Sequence, residues 1–376
     1  MSDSLQGLDY DLVVVGAGIV GLATAYAARC QGLSVAVVER QAHSVGASVR
    51  NFGFVTVTGQ RAGAHWRRAL RAREVWGEVA PRAGIPVLQQ GLCVLAQRPE
   101  AMDVLEAFAL TEMGQACELL TASQTAQRYP FLGQGVGALY SPHECRVESR
   151  EAIPRLARWL QQEMGVVFHW STAVQDIALP AIDTSRGRLR AERCIVCPGH
   201  DLNSLYPAEI ARAQARLCTL QMLRVRPAQA LHLPAPVMSD LSLVRYEGYS
   251  ALPQAQALLA RLQQEQAEHL RQGVHLIAVQ SADGSLVVGD SHVYDGAEAP
   301  FAHEAIDALI LQELQRVLPL PGLQVVERWT GTYASAEDVV FQASPAPGVV
   351  LGIVTGGTGA STAFAFAEEL LAQALA

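Results

Sequence analysis

The sequence contains no lysine, and all 28 of its basic residues are arginines. Catalysis through a lysine Schiff base, phosphate binding by a P-loop lysine and oxygen activation by a lysine are therefore excluded. The formal net charge of −8 leaves no basic surface for a phosphate backbone. We expect no nucleic-acid partner.

Cysteine is sparse and forms no recognisable framework. Seven cysteines, an odd number, are scattered along 376 residues, which favours a reducing cytoplasm over a disulfide scaffold. Cys194 and Cys197 spell CxxC, but they lie in an apolar run typical of a buried strand, where residues three apart point to opposite faces. No second pair has metal-ligand spacing, so we predict an inert pair and no metal site.

A long apolar run of the kind that spans membranes is also missing. The run 12–28 is short and rich in glycine, and acidic Asp9 and Asp11 precede it where a signal peptide would carry positive charge. We expect no membrane span and a cytoplasmic location.

The opening stretch VVVGAGIVG, residues 13–21, carries glycines at 16, 18 and 21. A predicted strand at 11–15, a helix at 19–31 and a strand at 34–39 surround it, and Glu39 follows about 20 residues after the first glycines. Glycines there allow a pyrophosphate to approach the helix N-terminus, while Glu39 accepts hydrogen bonds from a ribose. The pattern predicts a dinucleotide site.

Two further segments favour FAD over a nicotinamide cofactor. GASVRNFGF, residues 46–54, follows the second strand where a nicotinamide enzyme would continue into a crossover helix. TGGTGAST, residues 355–362, sets a glycine turn before a helix and can aim backbone amides at a ring or a phosphate. We expect one long cofactor held by both ends of the chain.

The remaining pattern predicts an α/β fold, a Rossmann-type FAD-binding domain with a second α+β substrate domain on a mixed or antiparallel sheet. Alternating polar and apolar residues between about 216 and 325 predict that sheet. The predicted helices are 62–83, 151–164, 253–271 and 361–376, and the predicted strands include 86–97, 166–169, 241–249, 274–280, 284–290 and 349–354.

Four segments resemble the D-amino acid oxidase superfamily, which includes glycine oxidase and monomeric sarcosine oxidase. They are residues 13–40, 46–53, 194–205 (CIVCPGHDLNSL) and 347–362 (PGVVLGIVTGGTGAST), in the family's order. The resemblance implies a discontinuous FAD-binding domain of residues 1–85, 146–215 and 325–376. It also implies a substrate domain of residues 86–145 and 216–324, whose sheet roofs the flavin.

The resemblance, carried over position by position, implies that the first glycine motif binds the ADP half of FAD. It also implies that the 46–54 loop and the C-terminal turn bind the flavin. The implied cofactor-binding residues are Gly16, Gly18, Ile19, Gly21, Glu39, Arg40, Ser48, Arg50, Asn51, Gly53, Val174, Pro198, Gly199, Gly356, Gly357, Thr358, Gly359, Ala360, Ser361 and Thr362.

One segment departs from the family pattern. Amino-acid-oxidising relatives read WxGxRP where this chain reads WTGTYASAED, residues 329–338, so Tyr333 stands in place of the arginine that binds a substrate carboxylate. Relatives with covalent flavin carry a cysteine near Gly331, so we expect noncovalent FAD. The family positions its substrate without an invariant acid or base, and no catalytic residue is assigned. We expect oxygen to accept the electrons, and we therefore expect an oxidase rather than a dehydrogenase.

Other side chains are expected to bind the substrate in place of that arginine, namely Arg245, His275, Tyr333, Tyr246 and Tyr249. If 241–249 is a strand, Arg245 shares a face with Tyr249, and Tyr246 faces away. Each also has a structural alternative, since Arg245 could pair with Glu247 and His275 could be a core histidine.

These segments most resemble a subgroup associated with phosphonate breakdown, which oxidises N-methyl-2-aminoethylphosphonate to phosphonoacetaldehyde and methylamine. We therefore expect FAD-dependent oxidation of the C–N bond of a small anionic amine. One alternative is an oxidase or dehydrogenase of glycine, sarcosine or another N-methyl amino acid. Another is a flavoprotein that modifies an RNA base, against which the acidic balance argues.

Overall fold

The computed structural model describes residues 9–376, so residues 1–8 of the predicted segment 1–85 lie outside it. Its strands are β1 (Asp9–Val15), β2 (Val35–Val38), β3 (Phe54–Val55), β4 (Val87–Ala96), β5 (Glu118–Thr121), β6 (Gly137–Val147), β7 (Val167–His169), β8 (Val174–Ala178), β9 (Ala181–Thr184), β10 (Gly187–Val196), β11 (Arg216–Arg226), β12 (Val237–Met238), β13 (Ile277–Gln280), β14 (Leu286–Gly289), β15 (Val293–Asp295), β16 (Gln324–Ala346) and β17 (Val349–Gly356).

The predicted helices 19–31, 62–83, 151–164 and 361–376 are present, the predicted helix 253–271 forms as two helices, and further helices were not predicted. The helices are α1 (Ile19–Cys30), α2 (Ala64–Arg82), α3 (Pro99–Ala109), α4 (Ala122–Arg128), α5 (Ser149–Gln162), α6 (Pro207–Ala211), α7 (Asp240–Leu243), α8 (Glu247–Ser250), α9 (Ala255–Glu265), α10 (Ala267–Arg271), α11 (Glu304–Val317) and α12 (Gly359–Leu375). Within residues 9–376, we find no helix whose length and apolar character would let it cross a membrane.

Five strands form a parallel sheet in the order β7–β2–β1–β10–β17. Because side chains alternate along a strand, the residues of β1 belong to two separate hydrophobic cores. Leu12 and Val14 pack under α1, α2, α5 and α12, and Val13 packs on the opposite face of the sheet. The carboxyl ends of all five strands meet at one edge, which is where ligands bind in open α/β sheets.

The CxxC cysteines lie on β10 or directly after it. Cys194 belongs to one of the two cores and Cys197 to the other, so the predicted placement on opposite faces of a buried strand is confirmed. Burial raises the pKa of the Cys197 thiol to about 12. Neither thiol is poised to act as a thiolate, and the inertness of the pair stays a prediction.

A second sheet is mixed, as predicted. Its order is β5–β6–β4–β12–β13–β14–β11–β16, in which β4 and β12 are parallel and the other neighbours antiparallel. The 23-residue strand β16 belongs to both sheets. Its first half pairs with β11, with Tyr333 opposite Cys218, and its second half pairs with β17, with Val340 opposite Val354. Tyr333 therefore lies where the two sheets meet.

The predicted strand at 241–249 is wrong, because the segment forms α7, a turn and α8. Asp240 begins α7 with its carboxylate 2.7 Å from Arg98 Nη1, and its other oxygen accepts the Gln97 amide at 2.9 Å. Gly248 then packs against backbone, since a Cβ there would lie 2.5 Å from Gln60 O. A charge partner distant in sequence and a close backbone approach outweigh the alternating pattern here. Because this strand does not form, the prediction that Arg245 and Tyr246 point to its opposite faces is wrong.

Candidate active site

A cavity of about 700 Å³ runs along the carboxyl edge of the parallel sheet and continues under the mixed sheet. It reaches from the first glycine turn, past the 46–54 loop and the C-terminal glycine turn, to the segment around Arg245. The predicted cofactor residues that line it are Gly16, Gly18, Ile19, Glu39, Arg40, Ser48, Arg50, Asn51, Val174, Pro198, Gly199, Gly356, Gly357, Thr358, Gly359, Ala360 and Ser361.

The first glycine turn has no room for side chains. Gly16 has φ +101°, and a Cβ on it would lie 2.4 Å from Cys197 O. A Cβ on Gly18 would approach Ser48 Oγ to 3.2 Å. Gly18 precedes α1 without a side chain of its own to cap the helix, so the glycine turn brings the helix N-terminus to the cavity, where an anion is favoured. This cradle fits the pyrophosphate of FAD.

Glu39 follows β2 at the same edge. Its two carboxylate oxygens accept the amides of Ala17 at 2.8 Å and Gln41 at 2.9 Å, which fixes the side chain beside the glycine turn. Each oxygen retains a further lone pair on the cavity side, where a ribose hydroxyl can donate. Ser48 Oγ accepts the Ile19 amide at 2.9 Å and so ties the 46–54 loop to α1.

Three predicted cofactor residues lie outside the cavity lining, and their assignment is corrected. A Cβ on Gly21 would lie 1.9 Å from Gly16 O, and one on Gly53 would lie 1.7 Å from Val147 O. Both glycines are required by close backbone packing instead. Thr362 is buried and donates to Thr358 O at 2.9 Å within α12.

The C-terminal turn lines the same cavity as the 46–54 loop. Gly357 has φ +70°, and Thr358 precedes α12 without a side-chain cap. His65 on α2 contacts Thr358, with Nε2 3.3 Å from Oγ1. Burial and the charges of Arg68 and Arg61 lower the pKa of His65 to about 4. A neutral imidazole and uncapped amides thus face the place where the family's flavin is expected.

Arg245 and Tyr246 both line the far end of the cavity. They occupy the turn between α7 and α8, and Arg245 Nη2 donates to Tyr294 Oη at 3.2 Å. The guanidinium makes no ion pair with any carboxylate in the described part of the chain, so the alternative of a pair with Glu247 is wrong. Glu247 pairs with Arg61 instead.

His275 lies within a line of rings at the same end. Tyr246 meets His275 edge to face at 5.6 Å between ring centroids, and His275 stacks on His292 at 5.3 Å. His292 in turn faces Tyr333 at 6.4 Å. His275 Nε2 is 3.0 Å from Asp290 Oδ1 and His292 Nε2 is 3.7 Å from Asp290 Oδ2. All three side chains of this His–Asp–His cluster are buried and border the cavity.

Tyr249 is the one predicted substrate residue that lies outside the lining. Its ring is buried against Phe108 at 4.6 Å between centroids and fills the space above Gly59, where a Cβ would lie 2.3 Å from the ring. As α8 is a helix turn, Tyr249 points into the core behind Tyr246. Its assignment to the substrate is corrected.

Sequence reasoning missed several polar residues of the lining, among them His65, Asp290, His292 and Tyr294. The last three belong to GDSHVYD, residues 289–295, which overlaps the end of the predicted strand 284–290. A run of Asp, His and Tyr that follows a strand in the substrate sheet was a usable signal. His65 was hidden within the amphipathic pattern of α2 and carried no such signal.

Relatives of known activity have similar sequences. One of the subunits of opine oxidase from Rhizobium meliloti is 25% identical over 366 residues, which cover 91% of this chain and 88% of that protein. N-methyl-L-tryptophan oxidase from Yersinia pestis (strain Pestoides F) is 23% identical over 256 residues, which cover 65% of this chain and 68% of that protein. Both similarities extend over most of the respective chains.

The fold is also that of a solved oxidase. Glycine oxidase from Geobacillus kaustophilus superposes with a TM-score of 0.76 at 19% identity, over 98% of this chain and 94% of the other. The family model described as FAD dependent oxidoreductase matches residues 11–373. With a cavity that fits FAD at the carboxyl edge of its parallel sheet, the chain belongs to this family of FAD dependent oxidoreductases, and FAD is its cofactor.

Proposed function

We propose that the protein oxidises the C–N bond of a small anionic amine, with N-methyl-2-aminoethylphosphonate as substrate and phosphonoacetaldehyde and methylamine as products. FAD would supply the two-electron chemistry by accepting a hydride equivalent from the carbon next to nitrogen, and water then hydrolyses the resulting imine to the aldehyde and methylamine. Oxygen is the proposed acceptor of those electrons. The residues of the chain bind and orient the amine and keep water away from the reacting carbon.

The observation that carries this proposal is the unpaired guanidinium of Arg245. It borders the cavity, is half-buried, and has the hydroxyl of Tyr294 at 3.2 Å as its hydrogen-bond partner. A cation held in this way among tyrosines, without a carboxylate of its own, favours an anionic ligand. A phosphonate offers three oxygens to such donors.

Tyr333 supports the same substrate. It stands where the resemblance puts the carboxylate-binding arginine of amino-acid oxidases, and it is half-buried beside the cavity. Burial raises the pKa of its hydroxyl well above the ordinary value, so Tyr333 is a neutral hydrogen-bond donor. One arginine with two tyrosine hydroxyls suits a tetrahedral anion better than the planar fork of a carboxylate.

Two structural parts of the proposal concern the cofactor. Gly331 packs against Leu220 and Arg50 O and offers no thiol near the flavin position, which supports noncovalent FAD. The division into a FAD-binding domain (1–85, 146–215, 325–376) and a substrate domain (86–145, 216–324) is also proposed. It agrees with the separate cores under the parallel and the mixed sheets.

The alternative substrate class consists of glycine, sarcosine and other N-methyl amino acids. It is favoured by the relative named N-methyl-L-tryptophan oxidase, whose name specifies an N-methyl amino acid. Arg245 could bind a carboxylate as well as a phosphonate. The two proposed functions therefore require the same fold and differ in which substrate the enzyme prefers.

Rapid anaerobic mixing with a matched panel decides between them. The panel contains N-methyl-2-aminoethylphosphonate, 2-aminoethylphosphonate, sarcosine and glycine, and the rate of flavin reduction is measured for each. We expect the N-methyl phosphonate to react with the highest ratio of reduction rate to Kd. If sarcosine or glycine is preferred by about ten-fold or more, some 1.4 kcal/mol in the transition state, the phosphonate proposal is wrong.

A further inference from the structure

We infer that Asp290 and His292 bind the ammonium group of the substrate, with His275 holding Asp290 in place. This inference rests on the proposed function, because it deepens the account of an anionic amine substrate. Arg245 binds the anionic end, so the two ends of one zwitterion are held by two different clusters in the same cavity.

The first argument is the direction of the hydrogen bonds of His292. Its Nδ1 lies 2.9 Å from the carbonyl oxygen of Gly273, and because a carbonyl only accepts, Nδ1 carries a proton. Burial and the charge of Arg245 lower the pKa of His292 to about 3, so the ring is neutral at ordinary pH. Its Nε2 is then an acceptor, and it faces Asp290 Oδ2 at 3.7 Å.

Two acceptors therefore face the same point with no hydrogen between them. Burying such a pair is unfavourable unless a donor satisfies both. Both side chains border the cavity, so a donor that enters it can reach Nε2 and Oδ2 together. A secondary or primary ammonium carries at least two N–H groups and a positive charge, and it satisfies a neutral nitrogen and a carboxylate at once.

His275 completes the arrangement from the other side. Its Nδ1 is 3.2 Å from Ser242 Oγ, whose hydroxyl is 3.1 Å from Leu276 O, and its Nε2 is 3.0 Å from Asp290 Oδ1. With the Ser242 hydroxyl turned to donate to Nδ1, the neutral ring carries its proton on Nε2, 3.0 Å from Asp290 Oδ1, and so positions that oxygen of the carboxylate. The second oxygen, Oδ2, is left for the ligand.

The balance of charge supports a zwitterion. Burial raises the pKa of Asp290, but the neighbouring His292 and His275 side chains and the guanidinium of Arg245 outweigh this effect and keep the pKa below its ordinary value, so the carboxylate is ionised. Arg245 acts on Asp290 and on His292 alike, which places one positive and one negative group in the same buried region. A substrate with one anion and one ammonium pairs each charge.

A divalent metal ion is the competing occupant. The ligand atoms of His275, Asp290 and His292 all lie within 4.8 Å of one another, close enough to hold an ion. The guanidinium of Arg245 argues against it, because a fixed cation beside the cluster repels a second one. The ammonium of a zwitterion avoids this cost, since its own anion neutralises Arg245.

The test uses ligands that differ only in the amine. The FAD-loaded protein, reduced beforehand with dithionite so that no amine is oxidised, is titrated anaerobically with 2-aminoethylphosphonate and ethylphosphonate, and with 3-aminopropanoate and propanoate, and Kd is read by isothermal titration. In whichever pair binds more tightly, we expect wild type to bind the aminated ligand at least about ten-fold more tightly than its amine-free counterpart. In Asp290→Asn this preference should fall below about three-fold, and Kd for the amine-free anion should change little.

The carboxylate Asp283 provides the matched control. It is half-exposed in the turn before β14, and Asp283→Asn should keep the wild-type preference for amines. If Asp290→Asn does not retain FAD, His292→Gln takes its place, with the same loss of preference expected. Equal weakening of aminated and amine-free ligands would mean a structural role and would overturn the inference.

Two further outcomes separate this inference from the proposed function. If the carboxylate pair binds more tightly than the phosphonate pair, and Asp290→Asn still removes its amine preference, the ammonium site stands and the phosphonate proposal fails. If wild type shows no amine preference in either pair, the ammonium site is wrong. Stoichiometric zinc or iron found in the purified protein by mass spectrometry and lost in Asp290→Asn would assign the cluster to a metal instead.

Discussion

The ring of Tyr333 packs directly against Gly357, so that a Cβ on Gly357 would lie 2.9 Å from Cζ of the ring. Tyr333 comes from β16, which belongs to both sheets, and Gly357 from the turn before α12. A residue expected at the substrate is thus in contact with the turn expected to cover the flavin. Changes at either residue should affect both binding events.

Gly357→Ala should weaken FAD binding. The change places a Cβ against Tyr333 at a residue with φ +70°, where an L side chain is strained, so the turn has to shift. Gly284→Ala is the control, because it has φ +80° and open space around the added Cβ. Both variants should unfold at a lower temperature, but only Gly357→Ala should raise the Kd of FAD, measured by quenching of flavin fluorescence. Equal FAD affinity in the two variants would contradict the contact.

Glu39 should hold the ribose. Glu39→Gln keeps the shape and one acceptor but removes the charge, so we expect a loss of about 1–2 kcal/mol in FAD binding, on the scale of a charged hydrogen bond. Glu39→Arg should lose more, because it removes both acceptors of the Ala17 and Gln41 amides. Isothermal titration of the flavin-free protein gives both values. An unchanged Kd in Glu39→Arg would exclude the assignment.

The agreement between the predicted cofactor residues and the cavity lining has a local cause. Gly16, Gly18, Glu39 and Ser48 act within one strand–helix–strand unit, where a short stretch of sequence determines both the turn and the groups it presents. The C-terminal turn was found for the same reason. Its role beside Tyr333, however, depends on the pairing of β16 with two sheets, which no local pattern encodes.

The substrate end was predicted less well because its residues are distant in sequence. Arg245 was found, but its neighbours were assigned from a strand that does not form, since Arg98 and the close packing of Gly248 favour short helices. The run that contains Asp290 and His292 was visible in the sequence, but nothing local to it shows which groups it meets. Their meaning comes from the contact with His275 across β13 and β14.

The pH dependence of stability should include a contribution from His65. Its folded pKa of about 4 lies below the ordinary 6.5, so the unfolded chain takes up this proton first as pH falls. Stability is therefore lost between pH 6.5 and 4. In His65→Gln the loss over this window should be smaller by roughly 1–2 kcal/mol, measured by denaturant unfolding with excess FAD. The exposed His43→Gln serves as control, and identical slopes in all three proteins would refute this contribution.

Arg245 should determine affinity for the anion. Arg245→Gln should cost about 1.5–3 kcal/mol, the scale of a hydrogen bond to a charged group, and the loss should be in Kd for the substrate more than in the reduction rate at saturation. Arg226→Gln, on the exposed end of β11, is the matched control. Tyr333→Phe should cost less, since it removes one neutral donor.

The ligand series used for the ammonium site makes this test specific. For Arg245→Gln, ethylphosphonate and propanoate should both bind more weakly, because neither has an amine to retain contact with Asp290 and His292. The flavin spectrum without ligand should stay that of wild type, since Arg245 lies at the far end of the cavity from the first glycine turn. If the amine-free anions bind Arg245→Gln as tightly as wild type, the anion is held elsewhere, and the proposed orientation of the substrate is reversed or wrong.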